Sequence, residues 1–291
     1  MPQKPKKDAT PDDAQPPLSD VLRVTSDVVL ASVDCDSTPG FLGTKKTGTK
    51  VLAEHAPEIG EWQEKLFAES RAGANRSMLL VVQGMDTSGK GGIMRHVVAA
   101  ANPEGIRTTS FKTPTEEERS HAFLWRIRKA LPGPGVIGVF DRSHYEDVLI
   151  VRVHNLVPEK EWSQRYAKIN AFEQQVVDSG TEVVKVMLHI SKDEQKARLA
   201  ERLERRDKHY KYNVGDISER LKWNDYMEAY QVALTECSTV DAPWHVVPAN
   251  KKWYARWAVQ RLLLDTFERM APDWPDMGID VEAERARLAA S

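Results

Sequence analysis

The sequence predicts an α/β fold: a parallel five-stranded sheet flanked by helices, with an insertion before the last strand. Three observations carry this prediction. Short apolar runs, most of them rich in β-branched residues, alternate with longer helix-like stretches, as in a parallel sheet covered by helices. The run Met78 to Gln83 leads directly into a Gly-rich turn and then a helical segment. Between the fourth and fifth runs, from Arg202 to Glu228, basic, acidic and aromatic residues crowd together in a stretch unlike the rest. A length of 291 residues allows one well-packed core, against ~100–200 residues for a usual domain.

Residues 1–17 are rich in Pro, Lys, Asp and Gln and nearly lack large apolar side chains, so burial cannot offset the entropy of ordering; a disordered tail is expected. Residues 18–77 are expected to form an arm and helices. Apolar patches such as Val28-Val29-Leu30, separated by turn-formers including Thr38-Pro39-Gly40, suit an arm that packs over the main body. The core is expected over 78–275, including the insertion at about 202–228, and a C-terminal tail over 276–291. The predicted strands are Met78 to Gln83, Arg107 to Phe111, Val136 to Phe140, Val183 to Ile190 and Trp244 to Val247. Helices are predicted at Ile93 to Ala101, Thr115 to Ala130 and Trp162 to Asp178, each ending at a Pro or Gly breaker. Ser191 and Glu194 form a capping-box pattern that opens a charged helix towards Arg206, and Gly215 is a break within the insertion.

Bulk properties exclude several classes. No uninterrupted apolar stretch approaches the ~20 residues that span a bilayer, so no membrane association is expected. The N-terminus has no apolar segment after its basic residues, which points to the cytoplasm. Two distant cysteines, Cys35 and Cys237, suit reduced thiols rather than a disulfide framework or a zinc site. A net charge of −2 argues against nucleic acid as a partner, while a local basic stripe can still bind another polyanion.

The strongest motif is MLLVVQGMDTSGKGG, Met78 to Gly92, which places Gly84, Gly89 and Lys90 in the G-x-x-x-x-G-K positions of a P-loop, or Walker A motif. Glycines let the loop curl so that backbone N–H groups face phosphate oxygens, and Lys90 adds a cation. Thr87, Ser88, Gly91 and Gly92 complete the expected phosphate-binding lining. Gly91 stands where Ser or Thr usually ligates magnesium, so another group must hold the metal. Asp86, inside the loop, would repel bound phosphate unless a cation lies between, which assigns it to the metal or to activating the acceptor. An Asx-type turn is the other account of Asp86.

The third strand runs straight into Asp141-Arg142-Ser143-His144-Tyr145-Glu146-Asp147. Ligands collect at the carboxyl ends of parallel strands, so Asp141 is expected near the loop in a Walker B role, with Arg142 neutralising charge on a transferred phosphoryl group. A plain helix N-cap is the alternative for Asp141. Ser143 and His144 do not make a hydrolase triad, because no third member or acyl site accompanies them, and the eight histidines show no zinc-ligand spacing.

With GMDTSGKGG, FDRSHYEDVLIVRVH and KHYKYN together, the chain closely resembles the polyphosphate kinase 2 family from about Thr38 to Pro275. The resemblance implies a P-loop kinase-like fold whose insertion is a helical lid. It implies reversible phosphoryl transfer between inorganic polyphosphate and nucleoside mono- or diphosphates (AMP, ADP and ATP, with guanine nucleotides as a further option). It implies a divalent metal, Mg2+ with Mn2+ as an alternative, and a homodimer or homotetramer. Carried over by residue, it assigns catalysis to Asp86, Lys90, Asp141, Arg142 and Arg202, metal binding to Asp86 and Asp141, and phosphate contact in the lid to Lys208. Clustering adds Arg205, Arg206 and Lys211, with Arg95 and His96 beside the loop, as a track for a polyanion. Two departures stand out: Glu204-Arg205-Arg206 replaces an Asp-Asp-Pro segment common in the family's lid, and Tyr210 replaces a usual tryptophan. SHYEDVL looks more like members that accept AMP, or AMP and ADP, than those restricted to ADP. An ATP-dependent nucleotide or small-molecule kinase is the rival enzyme, and a non-catalytic nucleotide-binding regulator the rival outside enzymes.

Overall fold

The computed structural model describes residues 16–291; the tail predicted over 1–17 lies almost wholly outside the described residues. Five strands, β1 (Ser77–Gln83), β2 (Ile106–Ser110), β3 (Ile137–Asp141), β4 (Thr181–His189) and β5 (Trp244–Pro248), form one parallel sheet in the order β2-β3-β1-β4-β5. All five predicted strands are present, shifted by one or two residues at their ends.

Burial explains the order. Every residue of β1 is buried, as its continuous apolar run requires for a central strand, while β2 is mostly exposed and polar, as suits an edge. From β1 the chain crosses to β2; from β3 it crosses the other way to β4. That reversal opens a crevice at the carboxyl ends of β1 and β3, where ligands of such sheets bind. Register pairs Val82 of β1 with Asp141 of β3, so the strand-end carboxylate sits level with the start of the Gly-rich loop.

The other edge is covered by the arm. Leu18, Leu22, Val24 and Leu30 are buried, Val24 N donates to Trp244 O at 2.8 Å, and Arg23 bridges His245 antiparallel to β5. Gln231 completes the attachment through Val28 O at 2.9 Å and Leu30 N at 2.7 Å. A 19-residue helix, Lys252–Met270, lies against β4, β5 and the loop helix and receives the Lys45–Glu54 and Ala56–Arg71 helices on its outer face.

Several predicted helices are shorter or broken. The helix after the loop spans Lys90–His96, and a 3-10 turn, Val98–Ala100, follows where Ile93 to Ala101 was expected. Thr115 to Ala130 is two helices: a Thr115/Glu118 capping box opens a single turn, Glu116–Arg119, that ends at Ser120, and a Trp125 N to Ala122 O bond at 2.8 Å leads into the second, Trp125–Ala130. Trp162 to Asp178 begins properly at Arg165. The charged helix runs Lys192–Glu204, its N-cap made by Ser191 Oγ accepting from Glu194 N at 3.1 Å. Arg205 then turns extended, and the insertion continues as a 3-10 segment, Arg206–Lys211, a short helix, Asp216–Leu221, capped at Gly215, and a longer one, Trp223–Cys237.

Candidate active site at the phosphate loop

The loop 84–89 leaves β1 through backbone conformations that its sequence anticipates. Gly84 has φ of +147°, and a Cβ there would lie 2.6 Å from Leu188 O, so only glycine fits. Gly89, at +118°, turns the chain into the Lys90–His96 helix. Thr87 takes φ of +66°, a left-handed conformation that a β-branched residue adopts only under constraint. Around Gly91 no atom lies within 4 Å of where a Cβ would sit, so the missing side chain leaves open space rather than relieving a clash.

Four predicted residues converge here. Lys90 Nζ donates to Gly84 O at 2.7 Å, with Met85 O at 3.4 Å, and holds the loop curled. Burial pulls its ammonium below the ordinary value, opposed by Asp86 and, more weakly, by Asp141 and Glu146. Arg142 Nη2 donates to Asp86 Oδ1 at 3.1 Å, and its backbone N–H to Val82 O at 3.1 Å. Arg142 itself has φ of +63°, a second strained non-glycine residue at the same strand ends. Asp141 Oδ1 is buried and finds no hydrogen-bond partner among the described residues, and the same holds for Thr87 Oγ1 and Ser88 Oγ. A buried carboxylate oxygen without a donor costs free energy unless something binds it, and such orphans concentrate where a ligand completes the site.

The lid residues stand differently. Arg202 Nη1 donates to Lys211 O at 3.0 Å and meets Asp216 Oδ2 at 3.3 Å. Asp216 is raised by burial first, with the Asp86 charge adding to the shift, so this lid carboxylate lies within electrostatic reach of the loop. Lys208 instead pairs with Glu201, and Lys211 lies over Tyr210 at 5.4 Å, so neither touches the loop. Arg205 is bound by Asp207 at 2.7 Å. Arg95 and His96 end the loop helix, and His96 feels the charge of Arg256, whose guanidinium lies 3.6 Å from where a Cβ on Gly92 would be.

A scan of protein families matches residues 43–275 to polyphosphate kinase 2. The chain belongs to the polyphosphate kinase 2 family. A solved polyphosphate kinase 2 from Arthrobacter aurescens is 55% identical and superposes with a TM-score of 0.92, covering 94% of this chain and 97% of that one. An AMP/ADP-polyphosphate phosphotransferase from Meiothermus ruber is 44% identical over 246 residues, 84% of this chain and 91% of its own length. An ADP-polyphosphate phosphotransferase from Rhodopseudomonas palustris is 40% identical over 81% of this chain and 84% of its own. The polyphosphate kinase 2 architecture thus extends over most of the described residues, from the arm to the end of the Lys252–Met270 helix.

Sequence reasoning missed four residues of the site. Glu146, raised by burial and opposed by Arg142 and Lys90, shares the same cluster; its place in the run after Asp141 was the available signal. Tyr230, buried among Glu146, Arg142 and Asp86, comes from the helix after the lid and had none. Gln195 Nε2 donates to Asp86 O at 3.2 Å and Arg198 Nη1 to Thr87 O at 2.8 Å. Their spacing with Arg202, at three and four residues, places all three on one helix face, which was legible once Arg202 was singled out.

Beneath the strand ends lies a buried ion network. Lys185 of β4 donates to Glu173 Oε2 at 2.5 Å, Tyr145 OH at 2.8 Å and Cys237 O at 2.6 Å, and His144 meets Glu173 Oε1 at 3.0 Å. With every donor on Lys185 taken and both Glu173 oxygens engaged, it fixes the turn that carries Arg142 and Glu146.

Proposed function

We propose that this chain transfers a phosphoryl group from inorganic polyphosphate to AMP and to ADP, and runs the exchange in reverse from ATP. The observation that carries the reading is the orphaned Asp141 Oδ1, buried beside Lys90, Asp86 and Arg142 at the carboxyl ends of β1 and β3. The names of the Meiothermus ruber and Rhodopseudomonas palustris relatives support polyphosphate as donor, and the first supports acceptance of both AMP and ADP.

Phosphoryl transfer needs alignment and charge neutralisation more than covalent chemistry. Among the described residues no group of three or more His, Cys, Asp or Glu could cage a metal. Two hard oxygen donors, Asp86 and Asp141, suit Mg2+, or Mn2+, which binds through one or two carboxylates with waters and substrate phosphates filling the rest. A divalent ion held by these two carboxylates would supply neutralisation of phosphate charge. Lys90 would exchange its hold on Gly84 O for a phosphoryl oxygen, and Arg142 would release Asp86 to meet the transferring group. The loop's backbone N–H groups cradle phosphate. Arg202 and the lid close over the site to exclude water. Arg95, His96, Arg256 and the lid cations, including Lys208 and Lys211, form a basic track along the polymer, and Asp86, Asp141 and Glu146 mark the acceptor's metal side.

The test is to incubate purified protein with Mg2+ and long-chain polyphosphate, separately with AMP and with ADP, and to follow products by chromatography. ADP from AMP and ATP from ADP are expected. Turnover with ATP as donor to a third acceptor, and none with polyphosphate, would select the ATP-dependent kinase instead.

A further inference from the structure

The Lys192–Glu204 helix reaches the phosphate loop through Gln195 and, with more bonds, through Arg198, neither of which the chemistry above uses. Arg198 is 5% exposed, so its guanidinium is out of water and its donors must be satisfied by protein. All five are. Nε donates to Glu194 Oε1 at 2.6 Å, Nη1 to Thr87 O at 2.8 Å and Ser88 O at 3.1 Å, and Nη2 to Ala249 O at 2.7 Å and Asn250 O at 2.9 Å. Four of these acceptors are backbone carbonyls, two from the loop and two from the exit of β5. The fork geometry of arginine holds both pairs at once, which a lysine, with one nitrogen, cannot do.

The carbonyls matter because a trans peptide is planar. Anchoring Thr87 O and Ser88 O against Arg198 turns the N–H groups of Ser88 and Gly89 the opposite way. That of Ser88 closes on Met85 O at 3.0 Å, which tightens the loop; planarity turns that of Gly89 to the side opposite Arg198. The left-handed φ of +66° at Thr87 needs an outside constraint, and the bond to its carbonyl supplies one. Asn250 extends the anchorage: its Oδ1 accepts from Ser191 N at 3.0 Å and its Nδ2 donates to Asp36 Oδ2 at 2.8 Å, joining the helix start and the arm to the same point.

We propose that Arg198 is a positioning residue for phosphoryl transfer: it touches no substrate, and fixes the curl of the phosphate loop and the direction of the Gly89 N–H while linking the loop to the root of the lid. The inference rests on the phosphotransferase reading above. It is tested by measuring kcat, KM for polyphosphate and for ADP, and thermal melting in Arg198→Lys and Arg198→Ala, the latter with and without millimolar methylguanidinium.

Both variants are expected to melt cooperatively and to lose kcat by about 100-fold, the scale of a small misplacement in an active site. KM for ADP should change far less than kcat. Methylguanidinium should recover turnover in Arg198→Ala and leave the wild type unchanged. A folded variant that keeps its kcat overturns the proposal. So does recovery of melting temperature by methylguanidinium without recovery of turnover, or failure of both variants to fold, since either assigns Arg198 to the fold alone. A wild type inactive with polyphosphate would instead remove the functional reading beneath it.

Discussion

At the scale of single residues, Asp141 is the most exposed to test, because its Oδ1 is buried without a partner while Lys90 and Arg142 already have theirs. Replacing it by Asn keeps the shape and removes the charge. Asp141→Asn is expected to lower kcat by roughly 10²–10³-fold, comparable to loss of one preorganised electrostatic contact, and to raise the Mg2+ concentration giving half-maximal rate. Thermal melting should stay near that of the wild type, since no hydrogen bond is lost. A metal titration of both proteins checks this, and an unchanged half-saturation would detach Asp141 from the metal. Asp86, Lys90, Asp141 and Arg142 could be read from sequence because each lies at the end of a strand or in the loop and helix start directly after one, where topology alone brings it to the crevice. Tyr230 could not, because its distance from the loop in the chain is closed only by packing of the insertion against it, and Arg198 was legible only through its helical spacing from Arg202.

At the scale of elements, the lid is the part least fixed by local pattern. Its charged composition marked it as an insertion, but not where its helices stop. The Lys192–Glu204 helix ends two residues before the predicted Arg206, because Arg205 goes extended and pairs with Asp207 and Glu201. Pairing also ranks the cations. Arg202 faces Asp216, which feels Asp86, whereas Lys208 is held by Glu201. Arg202→Ala should therefore depress transfer to nucleotide and raise the share of phosphate released to water. Lys208→Ala should mainly raise KM for polyphosphate and reduce its salt dependence. Free phosphate and nucleotide product measured together separate the two; identical behaviour of both variants would contradict this ranking.

For the whole molecule, the strands were legible because they are short, apolar and bounded by breakers; their order was not, since the fully buried β5 lies at an edge beneath the arm. The arm's course over β5 was expected only as packing over the body; its antiparallel bridge at His245 is a tertiary choice. That bridge has a consequence for stability. His245 is buried, and burial first of all lowers its pKa from 6.5 to about 4. Between those values the unfolded chain binds the extra proton, so stability is lost as pH falls from 6.5 towards 4, by on the order of 3 kcal/mol at the low end. Asp147 works in the opposite sense, since burial raises it to about 6 and its cost fades as pH falls through that value. Comparison with His245→Asn isolates the histidine. Asn can keep the bond to Lys185 O that Nδ1 makes at 3.1 Å, without titrating. The drop in Tm between roughly pH 7 and roughly pH 5 should be smaller in the variant than in the wild type; equal drops would mean that His245 is not buried neutral.

The central claim, that this site moves phosphoryl groups from polyphosphate to nucleotide, is tested most directly by the fate of labelled phosphorus. Polyphosphate labelled with radioactive phosphate, unlabelled ADP and Mg2+ should yield ATP whose γ-phosphate carries the label. ATP formed without label, with AMP appearing alongside it, would mean that the chain exchanges phosphate between two ADP molecules and that polyphosphate is not its donor.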